Sequence, residues 1–132
     1  MGKINTEKIE AWSINSLERL LDKSKYIKYE INSNDKTLSW DGNLYLYNNE
    51  ELKKEQLIAR ISIQVKGHGV EKEDKLNKEY ITYPVEISDL KNYQNDGGVI
   101  FFVIYVLNSE EHKIFYRKLL PYDLKSLRSY CL

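Results

Sequence analysis

Only one cysteine occurs in the 132 residues, Cys131, so no internal disulfide can form and a reducing, cytoplasmic setting is expected. That cysteine and the two histidines, His68 and His112, make no zinc spacing. Net charge is also missing, because 20 Lys and Arg balance 20 Asp and Glu. The chain is therefore no polycation, and any contact with a polyanion must come from a local patch. Long apolar runs are absent. The longest, Val99 to Leu107, suits a buried strand rather than a membrane span, and the N-terminus lacks the apolar core of a signal peptide. MGKINT fits the loose myristoylation pattern, a short and common match that carries no weight. Gly67-x-Gly69 and Gly97-Gly98 lack the spacing of a P-loop or a dinucleotide fingerprint. There is no internal repeat and no interdomain linker. What is present, 42% hydrophobic and 12% aromatic residues, is the composition of one folded domain with a core of its own.

Hydrophobic periodicity sets the element order. Ile9, Trp12, Leu17, Leu20 and Leu21 share one broad face of a helix over Asn5 to Asp22. Asn5 or Thr6 can cap it, and Glu7 and Glu10 sit where the helix dipole favours acid. A short strand is predicted near Tyr29 to Ile31, followed by a turn at Asn32-Ser33-Asn34-Asp35. Two alternating stretches, SWDGNLYLY from Ser39 and LIARISIQVKG ending at Gly67, read as an antiparallel pair joined by the polar NEELKKEQ. The charged run His68 to Glu79 reads as a solvated loop, and Tyr80 to Val85 as an edge strand limited by Pro84. Ser88-Asp89 starts a helix with Leu90 and Tyr93 inward, stopped at Gly97-Gly98. GVIFFVIYVL is apolar on both faces, hence a strand covered on both sides. Lys113 to Leu119 is a last strand, and Pro121 opens a closing segment with Leu124 and Leu127 inward. The sum is an α/β domain, 1–132, with a central mixed sheet flanked by helices.

Side-chain alternation then places chemistry. Asp41, Asn43, Tyr45 and Tyr47 share one face of their strand, and Arg60, Ser62, Gln64 and Lys66 share one face of the next. Directly opposed residues of an antiparallel pair point the same way. Burying Leu44, Ile61, Ile63 and Val65 on one side therefore gathers Asp41, Gln64 and Lys66 on the other. One register that does so sets Asp41 opposite Lys66 and Asn43 opposite Gln64. Taken singly, a surface Asp-Gly is a turn and a strand lysine is solvated. The eleven tyrosines, most of them alternating with apolar residues, read as packing rather than as base-stacking platforms.

A glutamate in the first helix, Asp41-Gly42 opening one strand and Gln64-Val65-Lys66-Gly67 closing the next resemble the PD-(D/E)xK nuclease superfamily. More closely they resemble Mrr-type restriction endonucleases and related bacterial defence-associated domains, in which a glutamine often replaces the carboxylate. The resemblance covers about Glu10 to Leu119, and is strongest in SWDGN, IQVKG and the PVEISDLKNY…GVIFFVIYV block. It implies a restriction-endonuclease-like three-layer sandwich and an Mg²⁺-dependent endodeoxyribonuclease, Mn²⁺ substituting, acting on foreign DNA. It also implies a homodimer or a partner protein of a defence system. Relatives often carry further C-terminal sequence, so a chain ending at Cys131-Leu132 is expected to be a fragment or to depend on a partner.

Phosphodiester cleavage calls for a metal bound through oxygen ligands. By the resemblance, Asp41 is the principal ligand, Gln64 and the Val65 carbonyl offer neutral oxygens, and Glu10 (or Glu7, one turn earlier) supplies a second carboxylate. Lys66 orients the attacking water or stabilises developing charge. Lys72, Lys75, Lys78 and His68 are the expected DNA contacts. The alternative is a nuclease-fold domain without catalysis that binds nucleic acid or a protein partner, to which the balanced charge is well suited.

Overall fold

The computed structural model describes residues 6–33, 39–82 and 97–119. Its first element is helix α1, Thr6–Asp22, with Glu7 in the first turn and Arg19 in the last, each where the dipole favours its charge. The buried side of α1 is Ile9, Ser13, Ser16, Leu17 and Leu21. Leu20, expected inward, is 39% exposed, and Trp12 is only partly buried. Two serines occupy the inward stripe instead, and their small side chains let the helix approach what it covers. Ser16 Oγ donates to the Ser13 carbonyl at 2.9 Å, while Ser13 Oγ is buried without a hydrogen-bond partner among the described residues.

Five strands follow: β1 (Ile27–Ser33), β2 (Ser39–Tyr47), β3 (Leu57–Gly69), β4 (Val99–Val106) and β5 (His112–Leu119). They form one sheet in the order β1-β2-β3-β4-β5, with β3 and β4 parallel and the other neighbours antiparallel. A parallel pair needs a crossover of a dozen or more residues, and residues 70–98 supply it. The domain is therefore α/β with a mixed five-stranded sheet, and α1 is the one α-helix among the described residues.

Several boundaries differ from expectation. Asn32 and Ser33, expected in a turn, end the seven-residue β1, because β2 pairs with it along its whole length. Strand β3 continues through His68 to Gly69, where a loop was expected, because those residues pair with Ile104 to Val106 of β4. Beyond it Val70 is buried and its N–H donates to the Val106 carbonyl at 2.9 Å. Glu73–Asn77 then forms a short 3₁₀ turn packed on β4 and β5 rather than a free loop. Residues 80–82 are not part of the sheet, although Ile81 packs on its apolar surface. The rest of that expected strand, Asn34-Asp35, the expected helix from Ser88 and the closing segment from Pro121 lie outside the described residues.

Alternation explains the core. On one sheet face Leu44, Ile63, Val65, Phe102, Ile104 and Val106 pack beneath Ile9, Leu17 and Leu21 of α1. On the other, Val99, Phe101, Val103 and Leu119 form a second cluster with Ile81, Tyr105 and Phe115 against it. Strand β4 is thus covered on both sides, as its unbroken apolar run requires. Tyr29 of β1 ties the last turns of α1 to the sheet edge, donating to Glu18 Oε2 at 3.2 Å. Burial first, then the carboxylates of Asp22 and Glu18, push its hydroxyl pKa up to about 12. Among the described residues, no helix is long and apolar enough to cross a membrane.

Candidate functional site on the polar half of the sheet

Strand β2 is the positioning element. Its registers with β1 and β3 set Asn32, Asp41 and Gln64 in one row across three strands, with Glu30, Asn43 and Ser62 in the next row. Asp41 therefore faces Gln64, in a register two residues from the one that would oppose Asp41 and Lys66. The shift leaves the sidedness intact. Directly opposed residues still point together, and Leu44 opposite Ile61 keeps the apolar set beneath α1.

Gly42 holds this arrangement. It pairs with Ile31 of β1, and a Cβ there would collide with the Glu30 carbonyl oxygen. The Asp-Gly pair is thus a strand feature that lets β1 approach β2 beside Asp41, where a turn would have been the simplest expectation. Asn32, Asp41, Gly42, Asn43, Arg60, Ser62, Ile63, Gln64 and Val99 line an open cleft of about 500 Å³. Asp41 is exposed at its rim and Gln64 is half-buried. Arg60 Nε donates to Asn43 Oδ1 at 3.1 Å across the strands. Arg60, Asn32, Asn43 and Ser62 were not singled out by sequence reasoning as site residues. Their signal was available for β2 and β3, since Arg60, Ser62 and Asn43 share the alternation of Gln64 and Asp41.

The other expected site residues fall elsewhere. Lys66 lies one ladder step beyond Gln64, opposite Ser39 and beside Val103. It shares the face of Asp41 but not the lining of the cleft. Val65 is fully buried in a strand paired on both edges, so its carbonyl belongs to the sheet and is no part of the cleft. Glu10 and Glu7 belong to α1, which covers the opposite sheet face. The physical reason is that the apolar stripe of α1 needs Leu44, Ile63 and Val65, and those alternate with Gln64. The first helix therefore brings no carboxylate to Asp41. His68 is exposed at the end of β3 with its ring 5.3 Å from that of Tyr105. Lys72, Lys75 and Lys78 are exposed, flanking or within the 3₁₀ turn over β4 and β5, on the side of β3 away from β2.

The donor set bears on a divalent metal. Among the described residues no group of three His, Cys, Asp or Glu gathers anywhere. Asp41 and Gln64 nevertheless put a carboxylate and an amide oxygen side by side on an open rim. That pair fits magnesium, which takes one or two protein carboxylates and completes its shell with water and substrate phosphate oxygens. It does not fit a metal enclosed by protein ligands alone. No protein-family model, curated protein or solved structure matches this chain.

Proposed function

We propose that this chain is a restriction-endonuclease-like domain that binds DNA in the cleft over β2 and β3 and cleaves its phosphodiester bonds with Mg²⁺. The observation that carries the reading is the direct cross-strand opposition of Asp41 and Gln64 on a polar face, with Lys66 next along β3. Asp41 and the Gln64 amide oxygen would hold the metal, whose chemistry is to neutralise phosphate charge and acidify a bound water. The Asp41 carboxylate fixes the position of the cleavage site. Gln64 orients an uncharged oxygen toward the same point and, through its NH₂, can donate to a phosphate oxygen. Lys66 extends its ammonium from the next ladder step toward charge developing on the phosphate, a contact that matters most in the transition state.

The test is cleavage of plasmid and linear DNA across Mg²⁺ and Mn²⁺ titrations, with calorimetry for the metal. Asp41→Ala is expected to abolish cutting. Gln64→Glu, which restores a charged ligand of equal length, is expected to preserve or raise metal affinity. Wild type that cuts neither DNA nor RNA with any metal contradicts the proposal. The position of Glu10 across the sheet favours a second reading, a domain of the same fold that binds nucleic acid without cutting it. Salt-sensitive binding in the absence of metal-dependent cleavage would select it.

A further inference from the structure

The polar half of the sheet has a second end. Two rows beyond Asp41, the registers set Lys28, Tyr45 and Arg60 side by side across β1, β2 and β3. Lys28 and Arg60 are exposed and Tyr45 is half-buried. Lys28 Nζ lies 5.6 Å from the centre of the Tyr47 ring, and the bond to Asn43 spends only one of the five guanidinium donors of Arg60. The face therefore has an acid-and-amide row and, two rows away, a row of two cations and an aromatic ring. The row between them carries Glu30 at the sheet edge and the neutral Asn43 and Ser62.

We propose that the Lys28–Tyr45–Arg60 row anchors an extended single strand of DNA, with phosphates on Arg60 and Lys28 and a base stacked on Tyr45. The proposal rests on the nucleic-acid reading of the cleft and names the form of substrate it takes. Charge complementarity selects the occupant: Lys28 and Arg60 flank Tyr45 in a row without a carboxylate, where a polyanion can be held. The aromatic ring selects its form, because a base can stack on Tyr45 only when it is released from a duplex stack. A sheet face with an aromatic platform and flanking cations is also the surface that splayed bases and their backbone need.

The experiment is fluorescence anisotropy in EDTA, so that cleavage plays no part. The probes are a labelled oligodeoxythymidine of about 12 nucleotides and a duplex of the same length. The wild-type chain is expected to bind the single strand more tightly. Lys28→Gln with Arg60→Gln should weaken it about tenfold and lower the slope of log affinity against log salt by about 0.7 per lost phosphate contact. Tyr45→Ala should weaken it about tenfold, and Tyr45→Phe, which keeps the ring and guards against misfolding, should bind like wild type. Replacing Lys72, Lys75 and Lys78 together by Gln should leave the slope unchanged. Tighter duplex binding, or wild-type binding by the Lys28→Gln, Arg60→Gln double variant or by Tyr45→Ala, overturns the inference even if Asp41 proves essential for cutting. Binding through the row by a chain that never cuts overturns the nuclease reading and leaves the inference standing. No binding of either probe overturns both.

Discussion

Strands β3 and β4 lie side by side and run the same way, yet they meet different surroundings. On β4 both faces are buried, Phe102 and Ile104 beneath α1 and Phe101 and Val103 in the second cluster. On β3 only Ile63 and Val65 are buried, and Gln64 between them opens on the cleft. The difference originates in the sequence, an unbroken apolar run against a strict alternation. Its consequence is that the second sheet face is apolar along β4 and polar over β1 to β3. A site for a charged substrate can form where the apolar cover stops, and Asp41 and Gln64 stand at that boundary.

The largest effect is expected from a charge placed on the apolar side of the boundary. Val103 shares the face of Lys66 and neighbours it directly, but is buried. Val103→Asp is expected to destabilise the chain strongly, since a carboxylate desolvated within the second cluster costs several kcal/mol even with the Lys66 ammonium beside it. Asp41→Ala on the polar half should change the thermal midpoint little, as circular dichroism melts would show. The next largest effect contrasts two adjacent β3 residues. Ile63→Ala should cost about 2–5 kcal/mol of stability by leaving a cavity under α1, while Ser62→Ala should stay within about 0.5 kcal/mol in urea titrations. Lys66→Ala should then reduce cleavage about 100-fold while calorimetric metal affinity stays near wild type, separating a transition-state contact from a ligand.

How far the sequence disclosed this can be judged residue by residue. Alternation placed Asp41, Gln64 and Lys66 on one face because period two leaves no other choice once Ile61, Ile63 and Val65 are inside. It could not choose between registers two residues apart, since both keep the apolar sets together, and so the partner of Asp41 stayed open. The helix was legible but its side of the sheet was not: a stripe of Ile9, Leu17 and Leu21 says that α1 packs, not on which face. That gap put Glu10 beside Asp41 in expectation and across the sheet in fact. Ser13 and Ser16 give no apolar signal to the periodicity, because their side chains are small and hydroxylated, yet both are buried. Val70 stood in the charged stretch His68 to Glu79, whose composition concealed its burial, and Ile81, expected in an edge strand, packs on the second cluster without joining the sheet.

Smaller effects sharpen the same contrast. The Tyr29 pKa is raised to about 12 in the folded chain from an ordinary value of 10.0. Its contribution to stability is therefore complete below pH 10 and is lost as pH rises through the folded value near 12. Alkaline melts of Tyr29→Phe should lack that part of the wild-type decline. The smallest effect expected is none at all. Glu10→Gln, on the α1 side, should leave metal affinity and cleavage unchanged, and a tenfold loss of either would bring the helix back into the site.

The proposed site brings metal and DNA together on the polar half of the sheet, and paramagnetic broadening locates that point. Mn²⁺ would be titrated into isotopically labelled protein with a short single-stranded oligonucleotide present, and backbone amide signals followed by NMR. Broadening that begins at Asp41, Gly42 and Gln64, spares the buried stripe of α1, and disappears in Asp41→Ala is the predicted result. Broadening centred on Glu7 and Glu10, or surviving unchanged in Asp41→Ala, would contradict it.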